Sequence, residues 1–131
     1  MKKRIYLGDN ARNSIYPGFS MVADLARCVY GPNGRTVLST QVTGQPHAAV
    51  RALDAAKNID DADPGINAGV QFARALCEEV NDTAGDGTAA SIIICSEFLA
   101  GGLRQIASGA SPVLLKSGIL KAASVAVDYI L

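Results

Sequence analysis

Residues 81–91, NDTAGDGTAAS, separate two apolar stretches, and their reading decides the fold. Upstream, Ile66, Val70, Ala73, Cys77 and Val80 recur at three- and four-residue spacing, the stripe of a helix with one buried face. Glu78 and Glu79 fall on its opposite side. Downstream, SIIIC opens a run carrying Ile92, Ile93, Ile94, Phe98, Leu99, Leu103 and Ile106, apolar nearly all round. Gly85 and Gly87 free the backbone for a tight turn, so one helix closes and another opens at Asp86. Asp63-Pro64 supplies a cap and a pre-set first residue for the upstream helix. Ser111-Pro112 does the same after Gly109, and Ile119, Leu120, Ala123, Val127 and Ile130 stay in helical register. The spacing therefore predicts three long helices over 64–83, 88–108 and 111–131, with 88–108 central and most buried. Gly101 and Gly102 cost helix propensity there, and close approach of a neighbouring helix is expected to explain them.

Working back from the turn, NIDDADPG reads as a polar linker. KRIYL (3–7) reads as a short strand closed by Gly8. From Asp9 a helix is expected, with Ala11, Ile15, Phe19, Val22, Leu25, Ala26 and Val29 at its spacing and a kink or interruption at Pro17. GPNG (31–34) ends it. RTVLSTQV, the turn TGQP and HAAVRAL then suggest a β-hairpin, although HAAVRAL is equally compatible with helix. His47, beside Pro46, is expected at the surface.

The 131 residues fit about one domain, with 49% hydrophobic residues, few aromatics and no tryptophan, a composition suited to close-packed helices. The formal net charge is zero, so nothing in the electrostatics argues for nucleic acid or an anionic membrane as partner. Cys28, Cys77 and Cys95 each sit in an apolar helical pattern and are expected as buried free thiols. MKKRIYLGDNAR lacks the apolar core of a signal peptide, and the most apolar run, near 89–100, is short for a bilayer span. Cytoplasmic localisation is the expectation. The last helix ends on DYIL without glycine, basic turn or polar tail, which suggests a piece of a longer chain.

Gly-Asp-Gly-Thr at 85–88 is also a coherent phosphate-binding turn. A helix N-terminus offers unpaired N–H groups and partial positive charge. A carboxylate there would repel phosphates unless Mg²⁺ lay between them. In isolation the same four residues read first as a glycine-ended helix followed by an Asp or Thr cap. No Ser/His/Asp set, metal-spaced Cys/His cluster or Walker loop occurs.

LGDNAR (7–12), MVADLARCVYGPNGR (21–35), VNDTAGDGTAA (80–90) and LRQIASGASPVLLKSGILKA (103–122) resemble, in order and spacing, the N-terminal half of the equatorial domain of group I chaperonins. The resemblance implies a mainly α fold: a helical bundle of the chaperonin equatorial-domain type with a short N-terminal strand and a small β-hairpin, 1–131 being the N-terminal part of such a domain. It implies ATP and Mg²⁺ as cofactors. Tyr30, Gly31 and Pro32 would lie against the phosphates, Asp86 would bind the metal, and Thr88 with the N–H groups of Gly87, Thr88 and Ala89 would hold phosphate oxygens. It also implies that the first strand and the hairpin pair with other subunits in a ring, and that unfolded client proteins are bound by an apical domain outside this chain.

The departures carry as much information. Where the family has Thr-Lys-Asp-Gly facing the nucleotide, this chain has Ala49-Val50-Arg51-Ala52. Ala89 and Ala90 replace threonines, and Val29 stands where the family has threonine. Arg51 is a candidate substitute for the missing lysine, as its planar fork suits phosphate, with a solvated surface arginine as the plain alternative. The reading is an ATP-binding, ring-assembly part of a chaperonin that assists protein folding, with impaired hydrolysis and no turnover by the segment itself. The alternative is a degenerate chaperonin-like scaffold without nucleotide use.

Overall fold

The computed structural model describes residues 5–39 and 47–131. Among these, five helices and two short strands follow in the order α1 (Gly8–Val29), β1 (Val37–Ser39), β2 (His47–Ala49), α2 (Ala52–Lys57), α3 (Pro64–Ala84), α4 (Thr88–Ala107) and α5 (Pro112–Ile130). The three long helices occur where the spacing placed them. Asp63 caps α3, its Oδ1 accepting from the N–H groups of Gly65 (2.8 Å) and Ile66 (3.2 Å). Pro17 lies inside α1 without ending it. It is exposed, so the carbonyl that loses its N–H partner can be met by water.

The strands pair antiparallel, with Val37 opposite Ala49, Leu38 opposite Ala48 and Ser39 opposite His47. The TGQP turn lies outside the described residues. HAAVRAL, equally compatible with strand and helix, divides: the strand stops at Ala49 and α2 begins at Ala52. RALDAAK has helix-forming residues throughout, and Ala52, Leu53, Ala55 and Ala56 all become buried. The expected N-terminal strand is not formed at residues 5–7, which have no regular structure; residues 3 and 4 lie outside the described region. Leu7 is nonetheless extended (φ −126°, ψ 148°), and such a segment needs a partner edge to become a strand.

The chain divides into two compact units, residues 1–97 and 98–131. In the first, one core joins α1 (Phe19, Val22, Ala23, Ala26), α2 (Ala52, Leu53, Ala56), α3 (Val70, Ala73, Cys77) and Ile92 of α4. α1 and α3 approach until their backbones touch. A Cβ on Gly18 would fall 1.9 Å from the Ile66 carbonyl oxygen, and one on Gly69 would fall 1.9 Å from that of Ile15. Glycine is required at both positions because no side-chain atom fits between the helices.

Two expectations are corrected here. Close approach was expected at Gly101 and Gly102, but a Cβ on Gly101 would meet nothing within 4 Å and one on Gly102 only a Leu115 methyl at 3.3 Å. Helix α4 was expected to be the most buried; only Thr88, Ile92 and Ser96 are buried in it, against five residues each in α1 and α3. Ile94, Phe98 and Leu99 are exposed. An apolar run shows that a helix can be buried all round, but burial needs neighbours on every side. In the second unit α5 has no buried residue, for the same reason.

Helix α4 has 20 residues and a mean hydropathy of 1.2 over its best 18-residue window, so by length and composition alone it could cross a bilayer. Its apolar run is longer than the sequence suggested. Of its side chains, Ile92 sits in the core, and Glu97 pairs with Arg27 of α1 at 2.6 Å.

The cysteines differ from one another. Cys77 is buried and its thiol is pushed up to about 11 by burial, with the nearby Glu78 carboxylate adding to the shift. Cys95 is half-buried and its thiol is raised by burial. Cys28 is exposed, contrary to expectation. It lies two residues past buried Ala26, about 200° round the helix and so on the far side from the core.

Candidate functional site

Three segments distant in sequence form one cleft in the first unit, with a volume of about 280 Å³. One wall is the end of α1, Val29 to Gly31. The second is Val50 to Ala52, where β2 turns into α2. The third is Asp86 to Ala90, the opening of α4.

The third wall is built by two left-handed glycines. Gly85 (φ 75°) terminates α3 and donates its N–H to the Asn81 carbonyl at 2.9 Å. Gly87 (φ 83°) turns the chain into α4, and its carbonyl accepts the first helical bond, from Ser91 N–H at 3.0 Å. A side chain at either position would be strained. The space beside both is open, with nothing among the described residues within 4 Å of where a Cβ would stand. The N–H groups of Thr88, Ala89 and Ala90 are thus those that a first helical turn leaves without an intrahelical acceptor. Asp86, between the glycines, is exposed, and its Oδ1 accepts from Gly87 N–H at 2.7 Å.

Thr88 is only 6% exposed although it lines the cleft, and its hydroxyl has no hydrogen-bond partner among the described residues. A buried hydroxyl ordinarily finds one. Thr88 lines the same cleft as the N-terminus of α4.

The first wall comes from the turn after α1. Gly31 (φ 82°) sits in the left-handed region. Gly34 N–H bonds the Gly31 carbonyl at 3.0 Å, and Arg35 N–H returns to the Cys28 carbonyl at 2.8 Å. Of the residues expected at the site, Tyr30, Gly31, Asp86, Gly87, Thr88 and Ala89 all line this cleft, whereas Pro32 does not. Val50 and Arg51 line it as well. The Arg51 guanidinium donates to Asn81 Oδ1 at 2.8 Å. Asn81 was not singled out in the sequence, yet its main chain holds the Gly85 turn and its side chain holds Arg51. Its position four residues before a glycine-ended helix was the available signal.

The lining therefore carries one carboxylate, Asp86, and one guanidinium, Arg51. No group of three His, Cys, Asp or Glu side chains able to hold a metal alone occurs among the described residues. A hard divalent cation here would rest on Asp86 and take its other oxygens from a ligand and water, as Mg²⁺ commonly does with phosphates. The open glycine cradle, the free hydroxyl and the helix N-terminus fit a phosphate group.

No protein-family model matches the chain. It is 36% identical over all 131 of its residues to Chaperonin GroEL 1 of Mycobacterium leprae (strain TN), and spans 24% of that protein's length. That similarity, running the length of a mainly α fold with a small antiparallel sheet, supports a fragment of a group I chaperonin's equatorial domain.

Proposed function

We propose that this cleft binds the phosphates of ATP with Mg²⁺, as part of a ring-forming chaperonin that assists the folding of other proteins in the cytoplasm, and that its hydrolytic capacity is impaired. The observation that carries the reading is convergence. Segments at 29–31, 50–52 and 86–90 meet around a buried hydroxyl that lacks a partner and a helix N-terminus. Thr88 Oγ1 and the free N–H groups of α4 would hold phosphate oxygens, and Asp86 would hold the cation. Bound ATP would supply the energy for rearranging the ring. Exposed Ile5, Leu7 and Leu38, on or beside extended backbone, are the surfaces offered to neighbouring subunits. Unfolded clients would be bound by parts of the protein outside this segment.

The composition of the lining supports impaired hydrolysis. Orienting an attacking water needs a group that can accept its proton. Val50 is apolar, and the Arg51 guanidinium is always protonated and has no acceptor. Asp86 remains, and it is the residue assigned to the cation.

The test compares the protein with its Asp86→Asn variant. Asn caps a helix about as well as Asp, so the change removes the cation ligand and spares the fold. A ligand at a hundredfold excess over Kd stabilises by about 2.7 kcal/mol, so millimolar Mg·ATP should raise the melting temperature of the parent and raise that of Asp86→Asn much less. Phosphate release should stay at background. Absence of a shift in both proteins would refute the nucleotide reading, and equal shifts would refute Asp86 as the cation ligand. Absence of any shift would favour a scaffold without nucleotide use, a reading that finds support in the Asp86 bond to Gly87 N–H, which engages the carboxylate within its own turn.

A further inference from the structure

We infer that Arg51 lets this cleft bind a polyphosphate without a divalent cation, the guanidinium supplying the positive charge a metal would otherwise bring. The inference rests on the reading above that the ligand carries phosphates. It adds the determinant of metal dependence.

Arg51 is held at the cleft from both ends. Its backbone is extended (φ −114°, ψ 144°) at the N-terminal boundary of α2, and its carbonyl accepts from Ala55 N–H at 3.0 Å. The residues immediately after it, Ala52 and Leu53, are buried in the core. Its side chain is oriented by Asn81 Oδ1, a neutral acceptor. Arg12, Arg27 and Arg74 each pair with a carboxylate, but Arg51 pairs with none among the described residues. Its charge is therefore positioned and uncompensated, and one bond to Asn81 leaves most of its five donors available.

The other charge in the lining is already engaged. Asp86 Oδ1 takes the Gly87 N–H, so its negative charge is partly satisfied within its own turn. An arriving phosphate would meet a guanidinium suited to two-point binding, the partial positive charge of the α4 N-terminus and the free Thr88 hydroxyl. The Thr88 hydroxyl, buried and without a partner, is an observation independent of the helix end, and it points to the same ligand. With a guanidinium in the wall, part of the attraction that Mg²⁺ would supply is present before any metal binds.

Isothermal titration of the protein with ATP in excess Mg²⁺ and in EDTA tests this. Binding should persist in EDTA. Arg51→Ala should weaken metal-free binding about tenfold or more, the loss expected for one charge-assisted hydrogen bond. Arg51→Lys should keep part of the affinity, and Arg51→Asp should bind only when Mg²⁺ is present. Because Arg51 is exposed, unliganded melting temperatures should stay close to the parent's, which separates lost binding from lost folding. Binding that requires Mg²⁺ in the parent, or metal-free binding unchanged in Arg51→Ala, overturns the inference and leaves the nucleotide site standing. No binding under either condition overturns both.

Discussion

Replacing Gly69 by alanine sets two effects of opposite sign against each other. In a helix interior alanine is favoured over glycine by about 1 kcal/mol. At this position the new Cβ would lie 1.9 Å from the Ile15 carbonyl oxygen and 2.9 Å from the Ile15 carbonyl carbon and the Phe19 nitrogen. Real Cβ contacts stay beyond 3.0 Å, so α1 and α3 must separate by more than about 1 Å, and the obstacle is backbone with no rotamer to yield. A gap of 0.5–1 Å forfeits about a quarter to a half of each dispersion contact, and here it would open along the interface carrying Phe19, Val22, Val70 and Ala73. Overpacking typically costs about 1–3 kcal/mol and more when the site cannot relax. A net loss of about 2–3 kcal/mol is expected, lowering the melting temperature by about 10 °C for a chain of this size. Gly101→Ala is the control. It is also a mid-helix glycine, but its Cβ would meet nothing within 4 Å, so it should gain about 0.5–1 kcal/mol. Urea and thermal unfolding of both variants measure the difference. A Gly69→Ala protein as stable as the parent would refute the close approach of α1 and α3.

Arg74 donates to the carbonyls of Ala56 (3.1 Å) and Ile59 (2.9 Å), satisfying the end of α2, so Arg74→Met should cost about 2 kcal/mol in urea unfolding. Asp60→Asn should change little, because that pair is long at 3.6 Å and Asp60 is exposed. Asp63→Ala should cost about 1 kcal/mol and Asp63→Asn only a few tenths; equal losses would show that the cap is not a hydrogen-bonding one. A thiol reagent at mildly alkaline pH should modify Cys28 first and Cys95 more slowly, leaving Cys77 until the chain unfolds. Because the Cys77 thiol is raised in the fold, its contribution to stability should be intact below its ordinary value of 9 and decline as pH rises towards about 11, where the unfolded chain ionises first. Fast labelling of Cys77 in the native protein would contradict its burial.

The sequence by itself determined where the long helices begin and end. Asp63-Pro64, Gly85, Gly87-Thr88 and Ser111-Pro112 act on the backbone within one turn, so caps and left-handed glycines need no distant partner. It also determined which faces of α1 and α3 turn inward, because a one-sided stripe has one arrangement that hides it. The GDGT turn was legible as the break between α3 and α4 for the same local reason. Four features were decided only by tertiary structure. HAAVRAL could be strand or helix until Ala52, Leu53, Ala55 and Ala56 found a core to enter. Gly18 and Gly69 look no different in sequence from Gly101, and only the crossing of α1 with α3 makes the first two indispensable. Helix α4 is apolar on all sides, a pattern that holds no information about which side is covered; Ile92 and Ser96 are buried and Ile94 and Phe98 are not because burial depends on neighbours. The cleft is the fourth case in kind: Arg51, Asn81 and Thr88 come together only because α1, α2, α3 and the start of α4 pack around one core, and no local pattern encodes that meeting.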